Sequence, residues 1–131
     1  MRILNVFKAL SDLTRLRVLR LLVVQRSQIC VGEFVHCLQG QPYNISKQLK
    51  LLEKAGLVLK QKQGRQVFYR LAENDAIVAS QIYQLIENTP DTEGYFSKDL
   101  SRFENREQIE APSPQEARTP VIEDSLPSNL L

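Results

Sequence analysis

The chain has 131 residues, enough for one hydrophobic core but not for two comfortable ones, which predicts a single domain with an extension. Its net charge of +2 is the sum of a basic N-terminal part and an acidic C-terminal part. Residues 1–71 hold 13 Lys and Arg against 3 Asp and Glu, a net charge of +10, whereas residues 72–131 hold 4 against 12, a net charge of −8. A basic body with an acidic extension favours nucleic acid as the partner. The sequence has no apolar run near the roughly 20 residues that cross a bilayer and no signal-peptide pattern, so we expect a cytoplasmic protein without membrane contact.

Two helices are predicted at the N-terminal end. Residues Met1–Leu10 carry apolar side chains at helical spacing, and Ser11-Asp12 supplies the N-cap of a second helix over Leu13–Val24. The second helix has a leucine-rich inner face. Its arginines are expected to face solvent as a basic exterior: Arg15, Arg17 and Arg20.

A helix-turn-helix pattern follows. Helical spacing predicts a third short helix over residues 32–39, and Gly40-Gln41-Pro42 marks a turn, because proline is tolerated at a first helical turn and not inside a helix. The next helix is predicted over Tyr43–Lys54. Its buried stripe consists of Ile45, Leu49 and Leu52. Its other side carries residue types that can hydrogen-bond to bases or reach phosphates: Asn44, Lys47, Gln48 and Lys50.

The hydrophobic period changes after Gly56, the glycine that is expected to end this helix. From Leu57 to Leu71 the residues alternate around the tip Gln63-Gly64-Arg65, which predicts a two-stranded hairpin with a basic tip. A helix followed directly by a basic hairpin is typical of a winged helix-turn-helix, in which the helix enters the major groove and the wing lies along the backbone. We therefore predict a mainly α fold with a small β-hairpin that binds double-stranded DNA.

The last periodic segment, Asn74–Asn88, has an apolar arc wider than a small domain needs. Such an arc predicts pairing with the same helix of a second copy, and hence a homodimer. From Pro90 onward the composition becomes acidic and proline-containing. We therefore expect a winged-helix DNA-binding and dimerisation domain at 1–89 and a mostly disordered acidic tail at 90–131, within which Tyr95 to Phe103 could form one short docked helix.

Three stretches occur in order: residues 7–17 (FKALSDLTRLR), residues 29–34 (ICVGEF), and residues 41–71 with the wing sequence GRQVFYRL. Together they resemble the ArsR/SmtB family of bacterial winged-helix repressors, over roughly residues 4–88. The resemblance implies a homodimer, paired through its first and last helices, that binds a partly palindromic operator and leaves it when an effector binds. It places these residues on the DNA-contacting helix and wing: Asn44, Ser46, Lys47, Gln48 and Lys50, then Lys60, Lys62, Arg65 and Gln66.

The resemblance also indicates where an effector binds. Many family members carry Cys-Val-Cys or Cys-Val-Gly at the start of the third helix, and those thiolates bind arsenite, antimonite, cadmium, lead or zinc. This chain keeps Cys30 there and has Gly32 at the second cysteine position. The remaining ligands are Cys30, Cys37 and, less favoured, His36, and the two thiols favour As(III) or Sb(III) over Zn or Cd. No cofactor is expected to be required for DNA binding itself.

A shared site for Cys30 and Cys37 meets a geometric objection. At about 1.5 Å rise per residue, their α-carbons lie roughly 10 Å apart along one straight helix, too far to share an ion or a disulfide. A joint site requires Cys30 to lie off the helix axis, or the thiols to meet across the dimer.

Three alternative functions stay open at this point. A repressor of the same fold could respond to thiol oxidation or persulfidation at Cys30 and Cys37. The basic face could bind an acidic protein instead of DNA. A thiol enzyme is disfavoured, because the chain lacks a Cys-X-X-Cys motif and its single histidine provides no nucleophile with an oriented base, so we predict that the chain is not an enzyme.

Overall fold

The computed structural model describes residues 3–73 and 76–106. Within these ranges the chain forms six helices and three strands. They are α1 Ile3–Leu10, α2 Leu13–Gln25, β1 Ile29–Cys30, α3 Val31–Leu38, α4 Pro42–Lys54, β2 Val58–Gln63, β3 Gln66–Leu71, α5 Ala76–Glu87 and α6 Tyr95–Glu104. Residues 1–2 and 74–75, at the predicted helix starts, and residues 107–131 of the predicted tail lie outside the described residues.

Helix α2 is the central element of the core. It begins as predicted, because the carboxylate of Asp12 accepts a hydrogen bond from the backbone N–H of Arg15 at 3.0 Å and so caps the helix. Its apolar side chains pack against α1, α3, α4, α5 and α6. The largest fully buried side chains come from these elements and from the strands, and include Leu19, Leu22, Ile29, Phe34, Leu49, Leu52 and Ile86.

The sheet has three antiparallel strands in the order β1-β3-β2. Strands β2 and β3 form the predicted hairpin, whose closing pair is Gln63 and Gln66. Gly64 has a φ of 63°, the positive value that a two-residue type II′ turn needs at its first central position. The third strand, β1, was not predicted, and it pairs Cys30 with Phe68 of β3.

The prediction that the arginines of α2 face solvent is wrong. Arg15 donates from Nε to the carbonyl of Ala9 at 2.7 Å. Arg20 donates from Nη1 to the carbonyls of Ile86 and Thr89 at 3.1 and 3.0 Å. Each guanidinium therefore satisfies carbonyl groups near the C-terminal end of a neighbouring helix, which have no partner within their own helix.

Arg17, the third of these arginines on α2, is bound to a carboxylate as well as to a carbonyl. Its Nε and Nη2 donate to the two carboxylate oxygens of Asp99 on α6 at 2.9 and 2.7 Å. Nη2 also donates to the carbonyl of Leu38 at 3.0 Å. The Arg17 side chain is 13% exposed and that of Asp99 is 2% exposed, so this bidentate pair is desolvated. Hydrogen bonding to Asp99 raises the pKa of Arg17.

Helix α6 is the short docked helix that residues 95–103 allow, and it packs against α2 and α3. Phe103 is buried, Arg17 lies over the ring of Tyr95 with 4.9 Å to its centroid, and Arg20 lies over the ring of Phe96 at 4.8 Å. The packed body thus continues past residue 89. The division into a domain at 1–89 and a tail at 90–131 stays a prediction.

Helices α1 and α5 leave large apolar side chains in solvent. Leu4 and Phe7 on α1 are 68% and 57% exposed, and Leu85 on α5 is 64% exposed. These are the helices through which a dimer was predicted. Among the described residues, no helix has the length and apolar character that crossing a membrane demands.

Asp99→Ala is expected to lower the free energy of unfolding by about 3 kcal/mol, because it leaves the Arg17 guanidinium buried without its counter-charge. Urea denaturation followed by circular dichroism measures this loss. Glu87→Ala is the matched control: it breaks a 3.7 Å pair with Arg26 in which both side chains are about half exposed, and should change stability by less than about 1 kcal/mol. Equal, small losses in the two variants would contradict a stabilising role for the buried pair.

Candidate nucleic-acid interface

Helix α4 is built to show one face to solvent. Pro42 occupies its first turn, where no intrahelical N–H is needed, and Gly56 follows its end with a φ of 83°. The predicted apolar stripe is buried: Ile45, Leu49 and Leu52. Both the predicted helix and its predicted stop are therefore confirmed.

The opposite face of α4 presents most of the predicted DNA-contacting side chains. Asn44, Lys47 and Lys50 are exposed, and Ser46 is half-buried. Asn44 lies in the first turn, and the lysines follow along the helix. In a helix-turn-helix the N-terminal residues of the second helix are the ones that meet base edges.

Gln48 does not lie where the sequence suggested. Its side chain is 8% exposed, and its Oε1 accepts a hydrogen bond from Nη1 of Arg15 at 2.6 Å. Its Nε2 donates to Oδ1 of Asn44 at 3.0 Å. The predicted role of Gln48 as a direct base contact is therefore not supported by its position, because both ends of its amide are engaged within the protein.

The wing carries the remaining predicted contacts on its exposed surface. Lys60 and Lys62 are two residues apart on β2 and so share one side of the hairpin. Arg65 lies in the turn and Gln66 begins β3. All four side chains are exposed, as is Arg70. Helix α4 contacts β2, so the helix and the wing adjoin each other.

This surface is strongly basic. Residues 42–71 contain seven Lys and Arg against one Glu, and all seven basic side chains are exposed: Lys47, Lys50, Lys54, Lys60, Lys62, Arg65 and Arg70. Such a concentration of cations on one helix and the hairpin beside it attracts a polyanion.

Cys30 lies at the junction of β1 and α3, where it is the N-cap residue of the helix with extended backbone angles. It therefore lies at the N-terminal edge of α3, and a site shared with Cys37 stays a prediction. Its backbone N–H donates to Oε1 of Glu33 at 3.0 Å. Burial raises the pKa of its half-buried thiol.

Cys37 lies in the last turn of α3 and is fully buried. Burial raises the pKa of its thiol to about 12, with the charge of Glu33 adding to the shift. Arg102 of α6 donates to its carbonyl at 2.9 Å. Within residues 3–73 and 76–106, no group of three or more His, Cys, Asp or Glu side chains is arranged to hold a metal ion.

Two contacts of this region were missed by the sequence reasoning. Arg15 joins the end of α1 to Gln48, and Glu33 binds Arg106 through its second carboxylate oxygen at 2.6 Å. The spacing of residues along α2 is the same whether Arg15 faces solvent or a neighbouring helix, so the sequence pattern could not predict its contact with Gln48. A glutamate three residues after an N-cap is a capping signal, and it could have identified Glu33.

The helix-turn-helix formed by α3 and α4, with the hairpin of β2 and β3 after it, defines a winged helix-turn-helix protein. No protein-family model matches the chain. Over 66 residues it is 39% identical to the arsenic resistance transcriptional regulator ArsR1 of Pseudomonas putida, covering 50% of this chain and 51% of that protein. It is 36% identical over 70 residues to an uncharacterised HTH-type transcriptional regulator of Methanocaldococcus jannaschii, covering 53% of this chain and 78% of the relative.

Solved structures give the same assignment. The transcriptional repressor BigR of Xylella fastidiosa is 30% identical with a TM-score of 0.55, covering 64% of this chain and 81% of that one. HlyU of Vibrio cholerae is 26% identical with a TM-score of 0.56, covering 63% and 85%. The chain belongs to the ArsR/SmtB family of winged-helix transcriptional regulators. It spans about half the length of the first curated relatives it matches. ArsR1, the Methanocaldococcus jannaschii protein and BigR are named as transcriptional regulators or repressors, in agreement with the prediction that the chain is not an enzyme.

Cys30 is expected to react with iodoacetamide faster than Cys37, because Cys37 is fully buried and its pKa of about 12 leaves almost no thiolate at pH 8. Intact mass against time, measured on Cys30→Ser and Cys37→Ser variants, gives the two rates separately. In urea the two thiols should react at similar rates. Equal rates in the folded protein would show that Cys37 is accessible and would contradict its burial.

Proposed function

We propose that this chain is a DNA-binding transcriptional repressor that seats α4 in a major groove and rests its wing on the neighbouring phosphates. The observation that carries the proposal is the seven exposed Lys and Arg of residues 42–71, opposed by one Glu. Asn44, in the first turn of α4, meets a base edge. The exposed lysines of α4 and the basic side chains of the wing reach phosphates, so affinity falls steeply as salt rises.

The repressor acts as a homodimer paired through α1 and α5. Leu4, Phe7 and Leu85 are large apolar side chains that are more than half exposed in one chain, and a second copy would cover them. A two-fold dimer presents two copies of α4 to half-sites about 34 Å apart, one turn of the double helix, which suits a partly palindromic operator.

The effector in this proposal is a soft metal or metalloid, with arsenite or antimonite ahead of zinc or cadmium, and its ligand is the Cys30 thiolate. As(III) and Sb(III) prefer thiolates, and one relative, ArsR1, is named for arsenic resistance. Since the described part of one chain offers no three-ligand cluster, the ion joins the Cys30 thiols of two protomers or recruits Cys37 after a rearrangement of α3.

A second candidate keeps the same fold and DNA site but replaces the metal with thiol oxidation or persulfidation. The observation that favours it is the ligand set itself, because two thiols without a third ligand suffice for a two-electron oxidation and fall short of a three-coordinate metalloid site.

Lys47→Ala combined with Arg65→Ala is expected to weaken binding to the protein's own promoter DNA at least about tenfold. In the proposed homodimer each protomer loses two phosphate contacts, so the slope of log K against log salt concentration should become shallower by about 4. Fluorescence anisotropy over a salt series measures both quantities. Lys98→Ala, an exposed lysine of α6 outside this surface, is the control and should leave both unchanged. An unaltered salt dependence in the double variant would remove these side chains from the interface.

Cys30→Ser is expected to bind the operator as the native protein does but to stay bound when arsenite is added under reducing conditions. Anisotropy during an arsenite titration measures release. Cys37→Ser is the matched control: it retains release if the two Cys30 thiols of a dimer form the site, and loses it if Cys37 is recruited. Release by peroxide or polysulfide, with none by arsenite, would favour the redox candidate. Native release from the Cys30→Ser protein would exclude Cys30 under either candidate.

A further inference from the structure

A chain of hydrogen bonds connects the end of α1 to the first turn of α4. Arg15 donates to the carbonyls of Ala9 and Lys8, and its Nη1 donates to Oε1 of Gln48 at 2.6 Å. Nε2 of Gln48 then donates to Oδ1 of Asn44 at 3.0 Å. The chain thus runs through three side chains on two helices, and its last member, Asn44, is exposed at the interface.

The direction of this chain follows from the chemistry of its first member. A guanidinium has donors and no acceptor, so the atom of Gln48 that faces Arg15 must be the amide oxygen. The other end of the Gln48 amide is then the NH₂ group. The atom of Asn44 that faces it must be an acceptor, which fixes Oδ1 inward and leaves the Nδ2 hydrogens of Asn44 free to point outward.

The first two members are held in place by the fold. Arg15 is anchored by the C-terminal carbonyls of α1, and its backbone N–H is bound by the Asp12 carboxylate. Gln48 is 8% exposed, so turning its amide over would oppose two N–H donors to each other in a place with little water. The orientation of Asn44 is therefore set from within the protein before any DNA arrives.

We propose that Arg15, acting through Gln48, makes Asn44 a hydrogen-bond donor to the major groove and thereby selects guanine over adenine at the base it meets. The inference rests on the proposed DNA-binding function and specifies which base α4 selects. Arg15 and Gln48 are positioning residues, and Asn44 is the side chain that contacts the base.

The selection follows from the edges of the bases. Guanine offers the acceptors N7 and O6 and no donor from the purine in the major groove, whereas adenine offers N7 beside the N6 donor. The familiar bidentate contact of asparagine with adenine needs both the oxygen and the NH₂ group of the side chain. In Asn44 the oxygen is turned inward to Gln48 and does not face the groove, so the contact to adenine expected from residue type alone is replaced by one to guanine.

Gln48→Glu tests this polarity directly. The carboxylate still accepts from Arg15, but its second oxygen now faces Asn44 and is an acceptor. The amide of Asn44 must then turn over, so that Nδ2 points inward and Oδ1 outward. The variant should select a base that offers a donor in the major groove, adenine or cytosine, in place of guanine.

The experiment measures binding of the full chain to its promoter operator and to a set of single-base variants of it. Asn44→Ala identifies the position at which discrimination is lost. There, native protein should prefer guanine to adenine about tenfold, and Gln48→Glu should reverse that preference. Gln48→Met, which keeps the volume and removes both hydrogen bonds, should reduce the preference to near unity. Gln63→Glu on the wing places the same charge change elsewhere, and it should lower affinity without altering base preference.

A native preference for adenine at that position, or an unchanged preference in Gln48→Glu, would overturn the inference while leaving the DNA-binding function intact. Absence of sequence-specific binding by the native protein would instead defeat the proposed function. The polarity can still be tested without DNA, from the exchange rates of side-chain amide protons by ¹⁵N NMR. Exchange of the Asn44 Nδ2 protons should slow in Gln48→Glu relative to the native protein, and equal rates would overturn the inference.

Discussion

Three arginines on α2 determine how the helices of this protein sit against one another. Arg15 binds a carbonyl at the end of α1 and also Gln48 on α4. Arg17 binds Asp99 on α6 and a carbonyl at the end of α3. Arg20 binds carbonyls at the end of α5. Apolar packing against α2 is non-directional and would tolerate small rotations of each neighbour. The guanidinium groups add directed bonds to the Asp99 carboxylate and to carbonyls at helix ends, so each helix end is fixed at one place along α2.

The parts of the fold that follow from periodicity could be predicted from sequence. The apolar stripe of α4 and the alternation of residues around Gly64 are local patterns, and each specifies its own element. Helix α4 and the wing were therefore predicted with nearly correct bounds. Strand β1 could not be found in this way. Two residues, Ile29 and Cys30, are too few to display a period, and their strand conformation arises from pairing with β3, almost 40 residues later in the chain.

The errors over Arg17 and Gln48 have one physical origin. Periodicity reports which way a side chain leaves its helix, and it does not report what the side chain meets. Arg17 and Gln48 leave their helices at polar positions, and both are covered by elements from elsewhere in the chain. Cys37 is fully buried on α3, the helix that packs against α6. Exposed residues such as Lys47 and Lys62 were placed correctly because nothing else in the described chain packs over them.

The strand that sequence alone did not reveal gives the molecule a mechanical property. Cys30 and Phe68 are register partners, so the strand that bears the candidate effector thiol and the strand that carries half of the wing belong to one hydrogen-bonded ribbon. Each strand of this ribbon is joined to its neighbour by antiparallel backbone pairing. A displacement of β1 at the start of α3 would therefore reach the hairpin through the pairing of β1 with β3, because no loop lies between these two paired strands.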